Sequence, residues 1–163
     1  VILGDNVSVG EFTVLCKINI GDNTMLESGI KMPGTGKGSI IIGKECYIGV
    51  NNVFDTSDNI TIGDFVHIAG PSTSLWCHSS VQMSLNSIPL NDPARDKFRP
   101  TAPIDIGDCV YIGGNCTIYP DVKIGHHAII APNSTVTKNV EPYTMVGGVP
   151  AKVIKKINIE SYS

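Results

Sequence analysis

Aromatic residues are scarce in this 163-residue chain, at 6% with one tryptophan, so its interior has to be thin and aliphatic. Charge is also sparse, at 17%, and twelve Lys+Arg against fifteen Asp+Glu leave a net charge of −3. That balance offers no basic face for a phosphate backbone, which argues against a nucleic-acid partner. Apolar residues never run together for the roughly 18 positions needed to cross a bilayer. No basic start followed by an apolar stretch marks a signal peptide. A disordered chain is excluded too, because 42% of the residues are hydrophobic. The length suits one domain, taken as 1–163. The chain opens at Val1 in mid-pattern, without Met, and reads as a fragment or as lacking its natural first residues. Cys16, Cys46, Cys77, Cys109 and Cys116 form no CxxC pair and no zinc spacing. They read as reduced small hydrophobes, from which a cytoplasmic location follows.

What the sequence does have is a repeat. An aliphatic residue followed by Gly recurs at Leu3, Val9, Ile20, Ile42, Ile48, Ile62, Ile106, Ile112 and Ile124, and Ile68-Ala69 and Ile130-Ala131 continue the series. The step is six, and four residues after the aliphatic stands a compact or β-branched residue such as Thr24, Cys46, Val66, Ser72, Val110, Cys116 or Ala128. Neither a 3.6-residue helix nor a hairpin sheet has that period. Short strands fit it, separated by turns that the Gly makes through its tolerance of positive φ. Three units make a coil of about 18 residues, and stacked coils pair in parallel. Extra residues mark insertions at 34–38, at 57–59 and between Ile62 and Ile106. The pattern resembles the hexapeptide-repeat acyltransferase family over about residues 3–155. That resemblance implies an all-β fold, a left-handed parallel β-helix with one extruded loop at about 79–103 and a C-terminal cap at about 141–163.

Gly is absent from Pro71 through Ile106, where both arginines, Arg95 and Arg99, are found. A loop this long in a compact domain is usually functional. Its root reads Ser74-Leu75-Trp76-Cys77-His78-Ser79-Ser80. A histidine there is held on one side and open on the other, which suits a general base. His67 reads as a surface residue, and His126 and His127 as solvated corners with diverging side chains. Galactoside- and maltose-type sugar O-acetyltransferases carry their base in a Ser-His or Thr-His stretch at this place, before a Pro-Ile-x-Ile-Gly return that here is Pro103–Gly107. Resemblance therefore makes His78 the catalytic base. Trp76 is either a plug under the loop or a stacking platform for the substrate. Asn51, Asn52, Asp55 and Asp58 sit one coil earlier, where the family often contacts the acceptor; otherwise they are solvated turn residues. Of these, Asn51 and Asp55 are carried forward with Trp76 as substrate-binding candidates.

The C-terminal stretches Val136-Thr137-Lys138-Asn139-Val140-Glu141-Pro142 and Gly148-Val149-Pro150-Ala151-Lys152-Val153-Ile154 resemble the hallmarks of acetyl-CoA-binding members. By position, Gly113, Gly114 and Ala131 would line the pantetheine, Thr137 and Lys138 would meet the nucleotide end, and Lys152 and Lys155 its phosphates. Pro132 has no N–H, so a contact donated from that amide cannot form. The implied activity is acetyl-CoA-dependent O-acetylation of a sugar or other hydroxylated acceptor, with no metal. Backbone amides near Gly113, or a neighbouring side chain, would hold the oxyanion. A covalent route through Cys77 lacks an activating third group. N-acetylation of an amino sugar is the alternative, and a γ-carbonic-anhydrase-like metal protein is a weaker one, since no histidine pair shares a face. The resemblance also implies a homotrimer with sites between subunits.

Overall fold

A computed structural model describes residues 1–159. The chain winds through three parallel sheets, always in the same order. The first sheet stacks Ile2–Leu3, Ile18–Ile20, Ile40–Ile42, Ile60–Ile62, Ile104–Ile106 and Lys123–Ile124. The second runs from Ser8–Val9 through Met25–Leu26, Tyr47–Ile48, His67–Ile68, Tyr111–Ile112 and Ile129–Ile130 to Thr144–Gly148. The third is shorter: Val53–Phe54, Ser74–Leu75, Thr117–Ile118 and Thr135–Val136. This is the β-solenoid that the six-residue step predicts.

Register follows the repeat. Ile18 lies on Ile40, Ile40 on Ile60 and Ile60 on Ile104, so each inward isoleucine stacks on its equivalent one coil away. These side chains are buried, while the residues between them, such as Asn19, Ile41 and Thr61, face out. Each full burial contributes about 1.5–3 kcal/mol relative to exposure. The core is thus a stack of aliphatic layers, with Thr24, Cys46, Val66, Val110, Cys116 and Ala128 closing the corners as expected.

Two details correct the expectation. The repeat glycines do not supply positive φ. The left-handed residue comes two positions later, at Asn6, Asn23, Glu45, Asn51, Cys109, Asn115 and His127. Glycine is required for space: a Cβ on Gly21 would stand 2.7 Å from the backbone of Gly43 and Lys44 in the next coil. The second correction concerns Ser72, which is exposed at φ 64. Its neighbour Thr73 takes the inward corner, donating to the Gly113 carbonyl at 2.8 Å and accepting the Cys116 N–H at 3.1 Å. One extra residue in the Gly70-Pro71 turn produces that slip.

The loop leaves the solenoid after Cys77 and returns at Ala102. His78 and Thr101 pair antiparallel, the Ala102 N–H donates to the Cys77 carbonyl (2.9 Å), and Ser79 N–H to that of Pro100 (3.2 Å). Between these ends lie helix α1 (Val81–Leu85) and a 3₁₀ turn at Arg95–Phe98. Lys37, in the 34–38 insertion, reaches Asp96 on the loop at 3.1 Å. The solenoid closes in a hairpin: Thr144–Gly148 extends the second sheet and Ala151–Lys156 returns antiparallel. The last residues of the expected cap, 160–163, lie outside the described residues. Cys46, Cys77 and Cys116 are buried and Cys16 is partly so, but Cys109 is exposed at a left-handed turn and is no core hydrophobe.

Crowding and conformation make opposite predictions at neighbouring turn positions. Gly21→Ala should lose about 1–3 kcal/mol, the usual cost of overpacking. Cys109→Gly should be neutral or gain up to about 1 kcal/mol by relieving a left-handed β-carbon. Urea unfolding of both variants checks this, and an undiminished Gly21→Ala stability would overturn the crowding account.

Candidate active site

Alternation along the third sheet sets the site. Leu75 and Cys77 are fully buried, so Trp76 and His78 are left to line a cleft of about 360 Å³. Thr117, Tyr119 and Val81 complete its walls. The indole is half-buried and meets the imidazole edge-on, with ring centroids 6.1 Å apart.

Asp55 holds the imidazole from behind. Its Oδ2 lies 2.5 Å from His78 Nδ1 and accepts the Cys77 N–H at 2.9 Å, while Oδ1 accepts the Ser57 N–H at 3.0 Å. Ser57 Oγ also approaches Nδ1, at 3.2 Å. Burial of this carboxyl raises its pKa, but hydrogen bonds from Ser57, His78 and Cys77 outweigh that and hold it below the usual carboxylate range. On the other side, Arg99 Nη2 is 3.0 Å from His78 Nε2. A guanidinium only donates, so Nε2 accepts; an ionised carboxylate only accepts, so Nδ1 donates. The tautomer assigned from these partners is neutral, with its lone pair at Nε2.

The site candidates separate into groups. His78 and Trp76 share the cleft. Asp55 is neither a solvated turn residue nor open to an acceptor: it is fully buried and orients the His78 ring. Asn52 is likewise buried, accepting the Thr73 N–H at 2.8 Å, because it fills an inward corner. Asn51 is an exposed left-handed turn residue and lies outside the His78 cleft. Lys138 and Lys152 come together in a second cleft of about 280 Å³, with Val136, Val146 and Val153. The two clefts are one rung apart, since Ile118 pairs with Val136 and the Tyr119 N–H donates to the Val136 carbonyl at 3.0 Å. Thr137 is exposed beside Lys138 but lines neither cleft, and Lys155 pairs with Met145 further along the hairpin.

Gly113, Gly114 and Ala131 belong to a different corner, between the second and third sheets, and do not line the His78 cleft. The Gly113 N–H is spent on the Ile130 carbonyl (2.9 Å), and the Ala131 N–H on that of Val146 (2.9 Å). An oxyanion donor at Gly113 is therefore corrected: the ladder that stacks the coils uses that amide. Cys77 is excluded as a nucleophile, because burial, with help from Asp55 and Asp58, pushes its thiol up to about 12.

His126 and His127 do not diverge. His127, at φ 57, folds back so that the two Nδ1 atoms are 3.0 Å apart and both rings pack on Tyr143. His67 is a surface residue as expected, its ring tilted against those of Tyr47 and Tyr111 on either side. Among the described residues no group of three or more His, Cys, Asp or Glu is placed to hold a metal. Sequence reasoning missed Ser57 and Arg99. The two-residue insertion and the pair of loop arginines were the available signals.

Asp55 links the site to stability. Its depressed pKa means a contribution present above the unfolded carboxylate value of about 3.9 and lost as pH falls through the lower folded value. Asp55→Asn should therefore cost about 1–3 kcal/mol at pH 7, by leaving buried donors without a charged acceptor. The gap to wild type should narrow at pH 3. Urea unfolding at both pH values tests the sign, and a gap that widens in acid would refute it.

Comparison with known proteins agrees with this architecture. The family description "Bacterial transferase hexapeptide (six repeats)" matches residues 103–138. A chloramphenicol acetyltransferase of Klebsiella aerogenes is 37% identical over 112 residues, covering 63% of this chain and 53% of that protein. Galactoside O-acetyltransferase of Escherichia coli strain K12 is 31% identical over 140 residues, covering 85% and 64%. A hexapeptide-repeat-containing acetyltransferase of Vibrio cholerae superposes with TM-score 0.62 at 30% identity, over 97% of this chain and 74% of that one. Its structure complexed with acetyl coenzyme A gives 0.58 at 29%, over 96% and 70%. The chain spans about half the length of the first of these curated relatives. On the repeat, the solenoid and these matches together, the chain belongs to the hexapeptide-repeat acyltransferase family.

Proposed function

We propose that this chain transfers the acetyl group of acetyl-CoA directly to a hydroxyl of a sugar or similar acceptor, with His78 as the general base. The observation that carries the reading is a cleft-lining histidine whose Nδ1 is bound by a buried carboxylate and whose Nε2 has Arg99 as its partner. As the hydroxyl attacks the thioester carbonyl, Nε2 takes its proton, and Asp55 stabilises the imidazolium that forms. With the Gly113 amide engaged, donors for the oxyanion come from hydroxyls around the cleft, of which Ser79, Thr117 and Tyr119 are at hand. Thiolate chemistry has no place in this scheme, and a hydroxyl, which must shed its proton on attack, is the acceptor that most needs the base. An amino sugar would use the same base and donor cleft.

The second cleft suits the donor. Its valines fit the apolar pantetheine arm, and Lys138 and Lys152 supply charge for phosphates on a chain that is otherwise net acidic. The corner with Gly113, Gly114 and Ala131 cannot reach His78 within one chain. In a homotrimer a neighbouring copy would bring that corner to the site, which is why we extend the reading to a trimer with shared sites. The unpaired thiols support a reducing, cytoplasmic setting.

Two measurements test this. His78→Ala should lower acetyl transfer by about 10²–10⁴ while leaving acetyl-CoA affinity unchanged; undiminished turnover would sink the base assignment. Lys152→Ala should weaken acetyl-CoA by several-fold to about tenfold, and less at high salt. Calorimetric titration at two salt concentrations reads it, and equal affinities would mean that the lysines only close the solenoid.

A further inference from the structure

Arg99 stands out because no carboxylate lies within ion-pair distance of it among the described residues, Asp96 acting on it only from further away. It is half-buried on the return arm of the loop. The other cations nearby are engaged: Lys37 pairs with Asp96 at 3.1 Å, and Arg95 donates to the Leu90 carbonyl at 2.6 Å. Among the described residues the Arg99 side chain has one hydrogen-bond partner, Nε2 of His78. A guanidinium carries five N–H donors and pairs best with a planar oxyanion, so an imidazole lone pair is a poor match for it.

This contact also has a chemical consequence. A base whose lone pair already accepts a hydrogen bond cannot take a proton until the donor moves away. Moving a half-buried guanidinium from its only partner is unfavourable unless a better acceptor replaces it. A neutral hydroxyl is no such replacement, whereas a carboxylate or phosphate is, since a charge-assisted hydrogen bond is roughly twice as strong as a neutral one.

The space for that group is present. Arg99 lines a small cleft of about 120 Å³ with Thr35, Lys37, Asp96 and Thr101. Thr101 is the residue that bridges to His78, so this cleft adjoins the base on the loop side. Two hydroxyls and two cations face it, and the single carboxylate, Asp96, is taken up by Lys37. Its size suits one oxyanion group, while the larger His78 cleft takes the ring that carries the hydroxyl.

We propose that Arg99 is a specificity residue: it blocks His78 until an oxyanion on the acceptor draws it away, so the site selects hydroxylated acceptors that carry a carboxylate or phosphate. This rests on the transfer reading above and adds to it the class of acceptor. Selection and release come from one event, because the group that binds Arg99 is also what exposes the Nε2 lone pair.

The test compares three acceptors with a common ring: methyl galactoside, methyl galacturonoside and galactose 6-phosphate. In wild type, kcat/KM for at least one charged acceptor should exceed that for the neutral one by about tenfold or more, the size of one charge-assisted hydrogen bond. The two charged arms tell carboxylate from phosphate. In Arg99→Gln that ratio should fall to near one, and in Arg95→Gln, which removes the same charge nearby, it should persist. Equal use of all three acceptors by wild type, or equal loss for all three in Arg99→Gln, would overturn the proposal. A second readout does not need catalysis. The His78 ¹⁵N ring resonance should move when a charged acceptor is added to wild type, stay still with methyl galactoside, and respond to neither in Arg99→Gln. If no acceptor is acetylated but the resonance follows this pattern, the transfer reading fails and the anion site stands. If the resonance ignores the charged acceptors, the anion site fails whatever the catalysis.

Discussion

Backbone presses on backbone where one coil turns above the next, and the absence of a β-carbon at that point is the constraint on which the rest depends. Neighbouring strands sit about 4.8 Å apart, and at Gly21, Gly43 and Gly107 a β-carbon would lie within 2.7 Å of the coil above. Because the corners close this tightly, the strands stay in register from rung to rung and the isoleucines fall into single file. A narrow interior then needs few aromatic rings. The same stack consumes corner amides such as that of Gly113 in the ladder, leaving function to side chains and to the places where the repeat is interrupted.

Such an interruption builds the site. Two additional residues after Phe54 let Asp55 and Ser57 turn inward beneath the root of the loop, one rung from His78. A carboxylate inside a β-solenoid is costly unless it is fully hydrogen-bonded, and here two backbone N–H groups and the imidazole ring satisfy it. The imidazole is consequently fixed on its rear edge by the scaffold and on its front edge by the loop. The ring thus has a buried carboxylate on one side and a half-buried guanidinium on the other.

Much of the fold was legible because the repeat is a direct image of the coil: inward positions, insertions and parallel stacking all followed from the six-residue step. The reason for its glycines was not, since close approach and positive φ both call for Gly and only coordinates separate them. The sequence singled out His78 by its place at the loop root and Lys138 and Lys152 by their cluster, and each lines a cleft. Asp55 and Ser57 lie 23 and 21 positions from His78 in the chain, so their contact depends on how the insertion folds rather than on the repeat. Gly113 and Gly114 were marked out by their smallness, which the coils also need for packing against Pro132 and Gly70. The facing of His126 and His127 hinged on one left-handed residue, which the sequence does not disclose.

The loop's two ends are joined by a narrow clasp, where His78 pairs with Thr101 and Cys77 with Ala102, and Lys37 ties its far part to the coils through Asp96. Above that clasp the coils resume in register as though nothing had been inserted, Ile62 lying against Ile106. On the function and acceptor class proposed above, the reacting ring and the selecting side chain sit at opposite ends of one detour. Asp55 belongs to the coils, His78 to the root where the loop departs, and Arg99 to the returning arm. A scaffold arranged this way can vary the length and content of an insertion while the coils on either side keep their register.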